Sequence, residues 1–340
     1  MHRVSTLLFT FCLFSGVLFA GCDNAPPPSA PKASPSIGIF LYRGDDTYIA
    51  SVARALEATL ADLGSLSLHA AQNDQLTQND QLDRMLGKKP DLLIVNIVDP
   101  KNAGSVAAKA QQAGIPIIFF NREPDLNALK PYPGACFVGT RIQDAGIMQG
   151  EIIKRLWDKH PEYDRNRDGK VQYIMFQGEP DNPEALARTE YSVKTARDLG
   201  VSMSQLGGTY ICGWDHERAR QAMETAFAVH GNAIELILAN NDSMALGAIA
   251  ALNAHGYNLE NGQAGMFIPV LGVDAPDEAV AAIKRGVMSA TVKQDNLAMA
   301  EAIGRLARNA LRGKNFLDGT PYAWDDTGQA IRIPYSPMEQ

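Results

Sequence analysis

Five apolar runs in this chain each finish on a polar side chain. SIGIFLYRGDD closes at Asp46, IPIIFFN at Asn121, VQYIMFQGEPDN at Asn182, IELILANN at Asn241 and IPVLGVD at Asp274. Runs of Val, Ile, Leu and Phe without polar alternation suit strands buried on both faces, as in a parallel sheet covered by helices. In open α/β sheets, ligands bind outside the carboxyl ends of the strands. The side chains at those ends form hydrogen bonds but supply no nucleophile–base pair. That inventory suits a binder of small polar molecules, not an enzyme. Taken singly, Asp46, Asn121, Asn241 and Asp274 are better read as caps of turns or helices; their common position on one edge of the sheet shifts the reading to a ligand.

Between the runs, the periodicity changes from strand to helix and back. YIASVARALEATLADLG places Ile49, Val52, Leu56 and Leu60 on one helical face and stops at Gly64. SLSLHAA, DLLIVNIV and IPIIFF read as strands, with QNDQLDRMLGKKP and NAGSVAAKAQQAG as the helices between them. The alternation restarts after FVGTRIQDAG with GIMQGEIIKRLWDKH, VQYIMF and EALARTEYSVKTARDLG. It continues through MSQLGGTYI, read as a strand, to MSATVKQD. A chain of 340 residues is comfortable for two domains of about 150 each. Two successive α/β units therefore predict two similar lobes with a cleft between them.

Residues 1–21 stand apart. MHR precedes the apolar STLLFTFCLFSGVLFAG, which has no acidic residue and reads as a secretory signal peptide. Leu18-Phe19-Ala20-Gly21-Cys22 resembles a lipobox, making Cys22 the acylated residue. Residues 23–35 hold five prolines in thirteen positions, an extended spacer suited to holding a domain off a membrane. The expected location is therefore periplasmic or otherwise extracytoplasmic, with membrane attachment through a lipid anchor alone.

The formal net charge is −7, one unit more negative once Arg3 is lost with the leader, and no Lys/Arg stripe favours nucleic acid. Cys136 and Cys212 lie far apart and read as buried free thiols rather than a disulfide. CxxC, HExxH, GxSxG and phosphate-binding glycine loops are absent from the sequence.

Several motifs in order carry a family resemblance: QNDQLTQNDQLDRML, IVNIVDPKNAG, IPIIFFNREP, FVGT, GEPDNPEALARTEY, ILANNDSMALGAI and VLGVDAPDEA. With these, residues 36–335 resemble the periplasmic galactose/glucose-binding proteins of the type I solute-binding fold. The resemblance implies two Rossmann-like lobes joined by three hinge strands, closing over a hexose and delivering it to an ABC permease. A chemoreceptor is a further implied partner, and the protein is expected to be a monomer. The expected lobes are 36–140 with 295–332, and 141–294 with 333–340. Carried over by residue, Tyr48 and Trp214 would stack on the apolar faces of the sugar. Asp46 and Asn121 would hold hydroxyls from the first lobe. Asn182, Glu184, Arg188, Asn241, Asp274 and Gln294 would do so from the second lobe or the hinge. Asn182 stands where the family has histidine, Glu184 where it has aspartate, Gln294 where it has asparagine, and Tyr48 where it has phenylalanine.

The resemblance also implies a structural Ca²⁺. Asp164, Asn166, Asp168, Lys170 (through its carbonyl) and Gln172 occupy positions 1, 3, 5, 7 and 9 of an EF-hand-like loop, with Gly169 at position 6. Position 12 is Met175 rather than glutamate, and in the family a distant glutamate, matching Glu235, supplies the missing pair. D-glucose or D-galactose is the expected ligand. The alternatives are another small sugar, a sensor signalling to a membrane receptor, and a glycosidase built on Asp46 and Asp274.

Overall fold

A computed structural model describes residues 2, 34–260 and 266–339. Apart from His2, the expected signal peptide lies outside the described residues, as do Cys22 and nearly all of the Pro-rich spacer. No described helix is long and apolar enough to cross a membrane.

The chain builds two sheets in succession. The first half contains β1 (Ser36–Leu41), α1 (Thr47–Leu60), β2 (Ser65–Ala70), α2 (Gln75–Gly87), β3 (Leu92–Val95), α3 (Ala103–Ala113), β4 (Ile117–Phe120) and β5 (Ala135–Gly139). The second begins with α4 (Asp144–Lys159), β6 (Val171–Gln177), α5 (Pro183–Asp198), β7 (Met203–Gln205), β8 (Tyr210–Ile211) and α6 (His216–His230). It continues with β9 (Leu236–Ala239), α7 (Asp242–Ala254), β10 (Val270–Asp274), α8 (Asp277–Lys284) and β11 (Ala290–Gln294). Then α9 (Asn296–Ala310) and β12 (Ala330–Arg332) return to the first half, and β13 (Tyr335–Glu339) ends in the second. Strand order is β12-β5-β4-β3-β1-β2 in one sheet and β13-β11-β10-β9-β6-β7 in the other, parallel throughout except for β13 against β11. This is the expected α/β architecture.

The apolar runs behave as strands because both their faces are covered. In β1, Ile37, Ile39 and Leu41 join one core with Ile49, Val52, Leu56 and Leu60 of α1 and with α9. Phe40 points the other way, into a second core with Leu93, Val95 and Phe119. The second sheet repeats this, with Ile174 and Phe176 on one face and Val171, Tyr173 and Met175 on the other. MSQLGGTYI departs from the single strand expected: it breaks into β7 and β8 around Gly207, whose φ of 63° turns the backbone out of extended geometry. The strand β5, the helix α9 and the closing strands β12 and β13 carry no separate expectation from the sequence. Cys136 and Cys212 are buried free thiols, and burial raises both pKa values.

The chain passes between the sheets three times, after β5, after β11 and after β12. In each sheet the order reverses beside one strand, β1 in the first and β6 in the second. Such switch points leave a crevice at the carboxyl ends of the strands, and both crevices receive the polar residues described next.

Candidate functional site

A narrow cleft lies between the two sheets, with a free volume of about 30 Å³, room for about one water molecule in this closed arrangement. It is lined by Asp46, Tyr48, Asn121, Asn182, Glu184, Arg188, Trp214, Asn241, Asp274 and Gln294, the ten positions named from the sequence. Nine of these are buried and Asp46 is partly so. Three further lining residues, Tyr42, Ile49 and Arg122, were not expected. Arg122 directly follows Asn121, so the strand-end pattern pointed next to it without selecting it. Tyr42 follows the run that ends β1 and looked like part of the strand.

Capping and lining turn out to be one arrangement. Asp46 caps α1 by accepting from the Ile49 amide (2.8 Å), and its other oxygen accepts from the Tyr42 hydroxyl (2.7 Å). Asn182 caps α5 through the Ala185 amide (3.1 Å) and Asn241 caps α7 through the Met244 amide (3.0 Å). Three helix N-termini, with their unpaired amides and positive dipole ends, therefore face the cavity. Asn121, Trp214 and Asp274 reach it differently, from backbones at φ of 62°, 66° and 117°. L-residues avoid such angles, and their strain persists where the surroundings over-determine it, most often at functional sites.

Arg188 is the electrostatic centre. Its Nη1 donates to the Asn240 carbonyl (2.8 Å), and its Nη2 donates to Gln294 Oε1 and to the Tyr335 hydroxyl (both 3.0 Å). Carboxylates of Glu184 and Asp274 stand 3.7 Å away on either side. Burial works against the guanidinium's charge, but Tyr335, Glu184 and Asp274 outweigh it and raise its pKa. Burial pushes Glu184 and Asp274 up despite Arg188, so both carboxyls are readier to hold a proton than in water. Thr140 donates to Tyr335 (3.0 Å) and to Glu184 (3.5 Å). Side chains at all three crossings between the sheets, Thr140, Gln294 and Tyr335, thus converge on Arg188. The longer Glu184 and Gln294 fit this network: Glu184 meets Thr140 and Gln294 meets Arg188.

Two buried donors in the cavity wall, Arg188 Nε and Gln294 Nε2, have no partner. Unsatisfied buried donors are costly, and a ligand rich in oxygen acceptors would pair them. Carboxylates and planar amides beside two aromatic rings can receive hydroxyl hydrogens and stack on C–H faces. No nucleophile–base pair lines the cavity.

At the far end of the second half, Asp164–Gln172 forms a compact loop whose oxygens face its own amides. Asp164 accepts from Asp168 and Gly169, Asn166 from Asp168, and Asp168 from Lys170. Glu235 joins from the start of β9, accepting from the Arg165 amide (2.7 Å) and the Gln172 amide (3.2 Å). No three His, Cys, Asp or Glu side chains among the described residues gather around one point. Nevertheless Gln172 Oε1 is buried without a partner, and the donor set is entirely oxygen, as Ca²⁺ requires.

Residues 37–315 match the family model described as a periplasmic binding protein domain. The D-galactose/methyl-galactoside binding periplasmic protein of Haemophilus influenzae is 33% identical over 337 residues, covering 98% of this chain and 94% of that protein. A solved ABC transporter solute-binding protein from Bacillus halodurans, with bound myo-inositol, is 25% identical with a TM-score of 0.72, over 90% of this chain and 95% of that one. A solute-binding protein from Actinobacillus succinogenes with bound D-allose has the same fold, with a TM-score of 0.72 at 20% identity over 90% of this chain and 97% of that one. The chain belongs to the periplasmic binding protein family.

Proposed function

We propose that this protein is the extracytoplasmic sugar-binding component of an ABC importer and takes D-galactose or D-glucose between its two lobes. The observation that carries the reading is the cleft where ten polar and aromatic positions from both sheets converge with two unpartnered donors. Similarity to a galactose-binding relative along almost the whole chain supports the choice of hexose. Sugar hydroxyls would pair with Asp46, Asn121, Glu184, Asp274 and the free donors of Arg188 and Gln294, while Tyr48 and Trp214 cover its apolar faces. Bridging both lobes, the sugar favours the closed form, and that form is presented to the permease. The test is a melting-temperature panel on purified protein with D-galactose, D-glucose, D-allose, D-ribose and myo-inositol. The largest rise with D-galactose or D-glucose supports the reading; a larger rise with one of the other three reassigns the pocket.

Ca²⁺ belongs to the same proposal, held by Asp164, Asn166, Asp168, Gln172, Glu235 and the Lys170 carbonyl. Bound there it would tie the loop to β9 and supply no chemistry. Melting should fall on adding a chelator and recover with Ca²⁺, and Asp168→Ala should abolish the difference. Acylation at Cys22 completes the reading, and Cys22→Ala should move the protein from the membrane to the soluble fraction.

A further inference from the structure

Outside the cavity wall, one carboxylate connects the two lobes. Glu179, in the loop after β6, pairs with Arg122, in the loop after β4, at 2.6 Å, with side-chain exposures of 18% and 7%. Glu179 also accepts from Asn182 Nδ2 (3.2 Å) and from the Trp214 indole N–H. Arg122 in turn lies 3.7 Å over the ring of Tyr42 and donates to the Val98 carbonyl (2.6 Å), and Tyr42 holds Asp46. The contacts run without a break from Asp46 through Tyr42, Arg122 and Glu179 to Asn182 and Trp214. That path joins binding positions on one lobe to binding positions on the other. Arg43 adds a weaker contact across the same gap, Nη1 to the Gly213 carbonyl at 3.4 Å.

We infer that Glu179 is a positioning residue for the bound sugar: its pair with Arg122 latches the lobes shut and fixes Trp214 and Asn182 against the ligand. Glu179 does not line the cavity, so it acts through those two side chains and through closure. A buried charge-assisted pair acts mainly on the escape of a ligand, because truncating one partner leaves the other charge unpaired. The inference rests on the sugar reading, and the test separates the two.

That test is a double-mutant cycle of Glu179→Gln and Arg122→Met in the full-length protein, each variant first shown folded by circular dichroism. D-galactose association and dissociation are followed by tryptophan fluorescence, and the ligand-free proteins by small-angle X-ray scattering. Each single variant should release D-galactose about tenfold faster with an unchanged association rate. The double variant should release it no faster than the faster single, and Arg122→Lys should recover most of the loss. Release from Glu179→Gln within twofold of wild type, or single effects that multiply in the double variant, would overturn the latch. Should Glu179→Gln not fold, Glu179→Asp, too short to span the gap, takes its place with the same expectations. If wild type binds no sugar, the sugar reading falls and scattering decides the latch. A wild type more compact than both single variants supports it, and identical profiles overturn it.

Discussion

At the level of single residues, this pocket trades stability for recognition. Arg188 is the one cation between two buried carboxylates, so Arg188→Met should leave both uncompensated and cost about 3–5 kcal/mol of unfolding free energy, read by denaturant titration. Trp214→Ala removes the stacking face and should weaken sugar binding by about 2 kcal/mol, close to thirtyfold, measured by calorimetry. Asp242 is a separate case: fully buried at the start of α7, it accepts from Thr291 and the Ala275 amide, and burial pushes its carboxyl up to about 7. A folded-state pKa above the unfolded value contributes stability that is complete below the unfolded pKa and is lost as pH rises through the folded one. Melting temperature should therefore fall between about pH 4 and 7, and Asp242→Asn should flatten its share of that slope. Raised carboxyls at Glu184 and Asp274 keep part of the slope in the variant. The sequence revealed which polar side chains end the strands, because burial of the apolar runs leaves them nowhere else to be. Tyr42 and Arg122 stayed hidden because their role depends on a contact between a ring and a guanidinium eighty positions apart, which no local pattern encodes.

Among elements, the site depends on where strands stop and helices start. Asp46 and Asn241 read singly as caps and as a set with their neighbours as ligands, Asn182 only as a binding position, and the structure makes all three caps whose helices open onto the cavity. That dual use explains why each residue alone favours a cap while the set favours a ligand. Gly178, just past β6, is required for space: a Cβ there would overlap the Trp214 indole. Gly178→Ala should therefore displace Trp214 and reduce sugar affinity at least tenfold while the far-ultraviolet circular dichroism stays native. Helices and buried strands were legible because their apolar periods run for many residues. The short β7 and β8 were merged into one strand because Gly207-Gly208 was read as part of an extended run rather than as a turn. Strand β12 pairs with β5 across nearly two hundred positions, and such pairing leaves little trace in local composition.

For the whole molecule, three chain crossings join the two sheets, and the Glu179–Arg122 pair adds a contact between the two halves. Arg188 ties Gln294, Tyr335 and, through Tyr335 and Glu184, Thr140, so the cavity wall and the three crossings share one hydrogen-bond network. Tyr335→Phe deletes the hydroxyl that Arg188 and Thr140 share. It should lower sugar affinity by about 1–2 kcal/mol without the sugar being touched, measured by titration against wild type. The two-lobed α/β plan was readable from the restart of the strand–helix alternation after Gly146, whereas the expectation that residues 295–332 belong with the first lobe came from the family resemblance rather than from the residues. The most direct measurement of the central claim is calorimetric titration of the purified protein, freed of carried sugar by unfolding and refolding, with D-galactose. Saturable one-to-one binding at micromolar affinity or tighter, weakened about thirtyfold in Trp214→Ala, is the predicted result. No heat from folded wild type with either D-galactose or D-glucose would contradict it.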